Sequence, residues 1–161
     1  NRTLSKIGKR ERVEDIMSGV KNAKDAGLRV MLTVMVGYPW EGQKEVEKTY
    51  ETTRKLMLYK TRAGDCLQAS VITPYPGTPF WHQAKKNDWF QVDPFDYEKF
   101  DMSQPVLKAE IDAPTWCSKI WSIQKDPQFI FKSGLTLRSV DEIALLLRGT
   151  KSLLRHLKDY V

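Results

Sequence analysis

Leu28-Arg-Val-Met-Leu-Thr-Val-Met-Val-Gly-Tyr-Pro-Trp40 is the stretch from which the fold is read. Residues 28 to 36 are apolar and rich in β-branched side chains, carry one charge, Arg29, and stop at Gly37. That length and composition predict a buried strand, parallel to its neighbour, rather than a helix. A Gly-x-Pro turn follows and opens an amphipathic helix over Gln43 to Tyr59, with Val46, Tyr50, Thr53, Leu56 and Met57 on one face. Its other face holds Lys44, Glu47, Lys48, Glu51 and Lys55 and is expected to meet water. A second strand, Leu67 to Ile72, runs into Thr73-Pro-Tyr-Pro-Gly-Thr-Pro79. Strand, helix and strand make one βαβ unit with a right-handed crossover.

Outward from this unit, Val13, Ile16, Met17, Val20 and Ala23 give an apolar stripe within a helix predicted from Arg10 to Ala26, stopped by Gly27. Downstream, Thr78 is placed to cap a short helix with Pro79 in its first turn. Trp89 to Pro105 is aromatic and irregular. Helices are predicted from Asp112 to Lys125 and from Asp126-Pro127 to Gly134, and a last one runs from a capping box at Ser139 and Glu142 to about Lys158.

Bulk properties narrow the class. The 161 residues suit one domain, and 41% hydrophobic and 29% charged residues are ordinary for a soluble globular chain. No apolar run approaches the ~18 residues of a membrane span. The two cysteines, Cys66 and Cys117, make no disulfide framework and suit a cytoplasmic setting. The net charge is +6, but the basic residues are scattered and no nucleic-acid motif occurs. The first residue is Asn1, and the chain is expected to be a piece of a longer protein.

No catalytic constellation is present: His82 and His156 stand alone, no Cys or His pair has metal-ligand spacing, and no P-loop or Gly-x-Ser-x-Gly occurs. Catalytic residues are therefore unassigned and no metal ligand is expected. What remains are the two turns at the strand ends, the usual ligand position in α/β proteins. Gly37 allows a sharp turn or a close approach of backbone to a ligand. Pro39 stiffens the next step, and Glu41 suits the start of a helix. Pro74, Pro76 and Pro79 restrain the second turn, where Gly77 permits positive φ. The same residues also read simply as two well-made loops.

At these residues the sequence resembles the radical S-adenosylmethionine enzymes. Gly37-Tyr38-Pro39-Trp40-Glu41 is similar to their Gly-Leu-Pro-Gly-Glu-Thr segment, and Pro74-Tyr75-Pro76-Gly77-Thr78-Pro79 to the following strand end, Pro-Tyr-Pro-Gly-Thr-Pro. The Trp variant and the tail from Phe100-Asp101 to Leu157 resemble the branch with a cobalamin-binding domain, which includes relatives of the anaerobic magnesium-protoporphyrin monomethyl ester cyclase. Trp40 stands where the family usually has a second glycine, Gly42 where it has threonine, and the Cys-x-x-x-Cys-x-x-Cys cluster motif is absent.

The resemblance implies an α/β fold, the last βαβ part of a partial (β/α)6 barrel over residues 1–80, with a mostly helical extension over 81–161. It implies a radical oxidoreductase, transferase or cyclase whose full-length form binds a [4Fe–4S] cluster and S-adenosylmethionine, with cobalamin as a further candidate. It places Gly37, Tyr38, Pro39, Glu41, Pro74, Tyr75, Pro76 and Gly77 on the cofactor- or substrate-facing surface. No cofactor is expected to stay bound to this chain alone. The expected partners are the rest of the barrel and a small-molecule substrate. Self-association through the exposed strand edge is also expected. A protein-interaction module and a basic RNA-binding accessory domain are the alternative readings, with nucleic acid ranked last.

Overall fold

The computed structural model describes residues 1–101, 104–137 and 144. Its elements, in order, are α1 (Arg2–Lys6), α2 (Val13–Asp25), β1 (Met31–Val36), α3 (Gln43–Leu58), β2 (Cys66–Val71), α4 (Pro79–Lys86), a 3-10 turn (Tyr97–Phe100), α5 (Ala113–Trp121), a second 3-10 turn (Ser122–Lys125) and α6 (Pro127–Leu135). The architecture is mixed α/β around a small parallel sheet. The helix expected over 139–158 lies outside the described residues, apart from Ala144, which is helical.

β1 and β2 pair in parallel, with Met31 opposite Cys66 and Val36 opposite Val71. The sheet begins at Met31, three residues later than the apolar run suggests, because the N–H groups of Leu28 and Val30 are engaged elsewhere, although the Val30 carbonyl already accepts from Cys66 N–H at 3.0 Å. Leu28 N–H donates to the Ala23 carbonyl and Gly27 N–H to that of Lys24, the paired bonds that close a helix on a left-handed glycine. Gly27 has φ +82°. Val30 N–H donates to the Asp65 carboxylate at 2.9 Å. The ladder resumes at the other end, where Ile72 N–H reaches the Val36 carbonyl.

Strand alternation sorts the side chains into two faces. Leu32, Val34 and Val36, with Leu67, Ala69 and Val71, pack into a core with Val46 and Met57 of α3, Trp116 and Ile120 of α5, Ile123 and Phe129. Helices α3 and α5 therefore share that face. Two strands bury little alone, so this common core joins the C-terminal helices to the βαβ unit. Met31, Thr33 and Met35, with Cys66, Gln68 and Ser70, form the opposite face. It is open, with Met31 64% and Met35 48% exposed.

A second core lies beyond the carboxyl ends of the strands. It gathers Tyr38, Ile72, Trp81, Ala84, Phe90, Phe100, Val106 and Leu107. The irregular aromatic stretch is drawn in by an antiparallel bridge between Phe90 and Leu107. Trp81 N–H donates to Thr78 Oγ1 at 3.2 Å, so Thr78 does cap α4. Thr78→Ala is expected to cost about 1 kcal/mol in a denaturant titration, the usual loss for an N-cap oxygen. The helix expected over Asp112 to Lys125 tightens to 3-10 geometry after Trp121.

Candidate functional site at the carboxyl ends of the strands

Both turns sit together at the strand ends. In the first, Glu41 N–H donates to the Tyr38 carbonyl at 2.9 Å, closing the chain on itself. The Glu41 carboxylate folds back and accepts from Tyr38 N–H at 3.4 Å through Oε2. Its Oε1 accepts from the Thr3 hydroxyl of α1 at 3.1 Å. Gly42 N–H donates to Glu45 at 3.2 Å and starts α3. Glu41 is 4% exposed, and burial raises its pKa despite the hydrogen bonds from Thr3, Tyr38 and Gly37 that favour the charged form. Burial, aided by the Glu41 charge, pushes the Tyr38 hydroxyl up to about 12, so it stays protonated.

Gly37 has φ +96°, where glycine is at home and a branched residue is not. A Cβ there would lie 2.9 Å from Ala113 Cβ and 3.4 Å from Val71 Cγ1. The close neighbour of this glycine is thus the first residue of α5, where sequence reasoning left the choice between a ligand and a sharp turn. Tyr38 stacks on Trp40 with ring centroids 5.3 Å apart, and Trp40 meets Phe80 and Trp89 edge-on. Pro39 is half-buried beside them.

The second turn divides into two parts. Thr73 and Pro74 are buried, and Thr73 Oγ1 has no hydrogen-bond partner among the described residues. Tyr75, Pro76 and Gly77 are exposed. Gly77 has φ +82° with open space where a Cβ would be, so it is required for its backbone alone. The structure brings Tyr38 and Ile72 into one cluster, and Tyr38 reaches Phe80 of α4 at 5.7 Å between centroids. The turns are joined through aromatic packing, while Tyr75 to Gly77 project outward.

The open sheet face adds residues that the strand reading overlooked. Thr33, Met35, Gln68 and Ser70 run towards the turns on two paired strands. Their signal was the period-2 placement of Gln68 and Ser70, with Thr33 hidden because the first run read as a buried strand.

A [4Fe–4S] cluster does not fit this chain. Its usual ligands are thiolates. Cys66 lies on the open face and Cys117 on α5, against the covered one. Among the described residues no three His, Cys, Asp or Glu side chains gather as a metal site. Burial raises both thiols, with Asp65 adding to the effect on Cys66, and Cys117 reaches about 11. Alkylation of Cys117 by iodoacetamide should therefore stay slow at pH 8 and accelerate only as pH nears 11; a fast reaction at pH 8 would contradict its burial.

No described protein family's profile matches the chain. Two curated proteins resemble it. One is an uncharacterized methyltransferase, PH0819, from Pyrococcus horikoshii, 33% identical over 109 residues, which are 68% of this chain and 22% of that protein. The other is hopanoid C-3 methylase from Methylococcus capsulatus, 24% identical over 159 residues, 96% of this chain and 28% of that protein. The chain spans about a quarter of the length of these relatives. No helix among the described residues is long and apolar enough to cross a membrane.

Proposed function

We propose that this chain is the closing part of the barrel of a radical S-adenosylmethionine methyltransferase, with residues 1–80 as the last βαβ part and 81–161 as its helical extension. The observation that carries the reading is the open sheet face. Met31, Thr33, Met35, Cys66, Gln68 and Ser70 include no Asp, Glu, Lys or Arg, unlike the water-facing side of α3 with Lys44, Glu47, Lys48, Glu51 and Lys55. Such a wall suits neither bulk water nor a tight apolar core. It suits the lining of a barrel holding a polar small molecule. The resemblance of Pro74 to Pro79 and the methyl-transferring relatives support the same reading.

When bound elsewhere in the whole protein, the cluster and S-adenosylmethionine would supply the radical chemistry, with cobalamin as a further cofactor. This chain's part is positioning. Thr33, Gln68 and Ser70 offer hydrogen bonds along the wall, and Met31 and Met35 offer soft apolar contact. Gly37, Tyr38, Pro39 and Glu41, with Pro74, Tyr75, Pro76 and Gly77, form the rim above it. The interaction-module and RNA-binding readings find no support in the relatives.

The test uses the whole protein, reconstituted anaerobically with iron and sulfide and given S-adenosylmethionine and a reductant. Formation of 5′-deoxyadenosine or S-adenosylhomocysteine is expected, and the absence of both would reject the proposal. Gln68→Lys, which adds a charge to the wall, should abolish turnover and leave the melting temperature within a few degrees. The chain alone should self-associate, because each strand has one paired edge among the described residues. Sedimentation at micromolar concentration checks this, and a clean monomer counts against it.

A further inference from the structure

Helix α1 lies over the first turn, and its side chains reach that turn and the start of α3, while its N-cap Asn1 accepts from Val13 N–H and donates to Glu14 at the start of α2. Thr3 donates to Glu41, Lys6 Nζ sits 4.7 Å from the centre of the Trp40 ring, and Arg2 approaches Glu45 at 3.8 Å. Ile7 packs against the aromatic cluster. None of the α1 residues is buried, and the connection to α2 passes through Gly8 at φ +74° and the exposed stretch Lys9 to Arg12. A helix of 5 residues held by a few polar contacts is a detachable cover.

We propose that Glu41 is a proton-sensitive clamp, a positioning residue that joins α1 to the first strand-end turn and releases the cover when it loses its proton. The physical reason is desolvation. In the closed arrangement the carboxylate lies between the α1 hydroxyl and the turn's own N–H groups, away from water. A buried carboxylate is penalised in its charged form. Its neighbours do not cancel this. Arg2 is directed to Glu45 and Lys6 to the Trp40 ring. Glu45 and Glu110 stand at Gly42, and Glu45 adds repulsion; Tyr38 is neutral over the accessible range.

The sign follows. The closed-state pKa of Glu41 is raised, so closure is favoured at low pH and weakens as pH rises through that value. One proton limits the opening constant to a change of about tenfold per pH unit. Thr3 donates to the charged form, so its removal should move the midpoint further up.

The inference concerns the same rim as the proposed function, but its test needs no cofactor. Amide exchange of Ser5 to Gly8, corrected for intrinsic rates, is followed in the full chain from pH 4 to 9. Protection should fall with pH in the wild type, stay flat in Glu41→Gln, and fall at higher pH in Thr3→Val. A pH-dependent loss that persists in Glu41→Gln, or a midpoint unmoved by Thr3→Val, overturns the clamp. Should Glu41→Gln fail to fold, the Thr3→Val midpoint decides alone. The exchange readout does not pass through radical chemistry, so failure here and failure of the methyltransferase reading are separable.

Discussion

Asp65→Ala is expected to destabilise the chain by about 3–5 kcal/mol, the cost of leaving one partner of a buried ion pair uncompensated. Lys24 Nζ lies 2.9 Å from Asp65 Oδ2, with both side chains fully buried. Lys24 also donates to the Met57 carbonyl at 3.2 Å. Asp65 accepts from Val30 N–H at 2.9 Å and Arg62 N–H at 3.0 Å. One carboxylate thus ties the end of α2, the entry to β1 and the loop before β2. Lys24→Met leaves Asp65 its two backbone donors and should cost less. Lys24→Met with Asp65→Asn removes both charges but leaves one acceptor oxygen for the two backbone donors, so it should recover only part of the loss. Urea unfolding at pH 7 reads all three. A loss below about 1 kcal/mol for Asp65→Ala would mean that water reaches the pair.

Gly37→Val should cost roughly 2–6 kcal/mol, from about 1–3 for a left-handed φ and about 1–3 for overpacking. Both terms have named causes: φ +96°, and a Cβ at 2.9 Å from Ala113 and 3.4 Å from Val71. They can be separated. Gly37→Ala combined with Ala113→Gly removes the closest collision and keeps the backbone strain, so it should recover only part of the Gly37→Ala loss. Full recovery would assign the whole cost to packing, and no recovery would assign it to φ. Thermal unfolding of the three variants distinguishes these results.

Much of the βαβ unit was legible in the sequence because its signals are local. The β-branched run ending at Gly37 is one. The 3.6 period of Val46, Thr53, Leu56 and Met57 is another, and all four are buried in α3. Thr78 with Pro79, and Asp126 with Pro127, marked two helix starts that the structure shows capped by those side chains. In each case the residue and its effect lie within a few positions of one another.

The rest depended on partners far along the chain. Residues 28–30 look like strand, but the Leu28 N–H closes a helix cap and the Val30 N–H turns to Asp65, 35 residues beyond it. Whether the sheet is covered on one face or two was decided by α5, which joins α3 on the same side. No periodicity within the strands encodes that choice. The Thr3 hydroxyl meets Glu41 across 38 residues, and no local pattern announced α1. Propensity and periodicity determined which segments became helix or strand. Long-range charge burial and packing alone decided where the sheet begins, which face stays open, and that Gly37 must accommodate a helix.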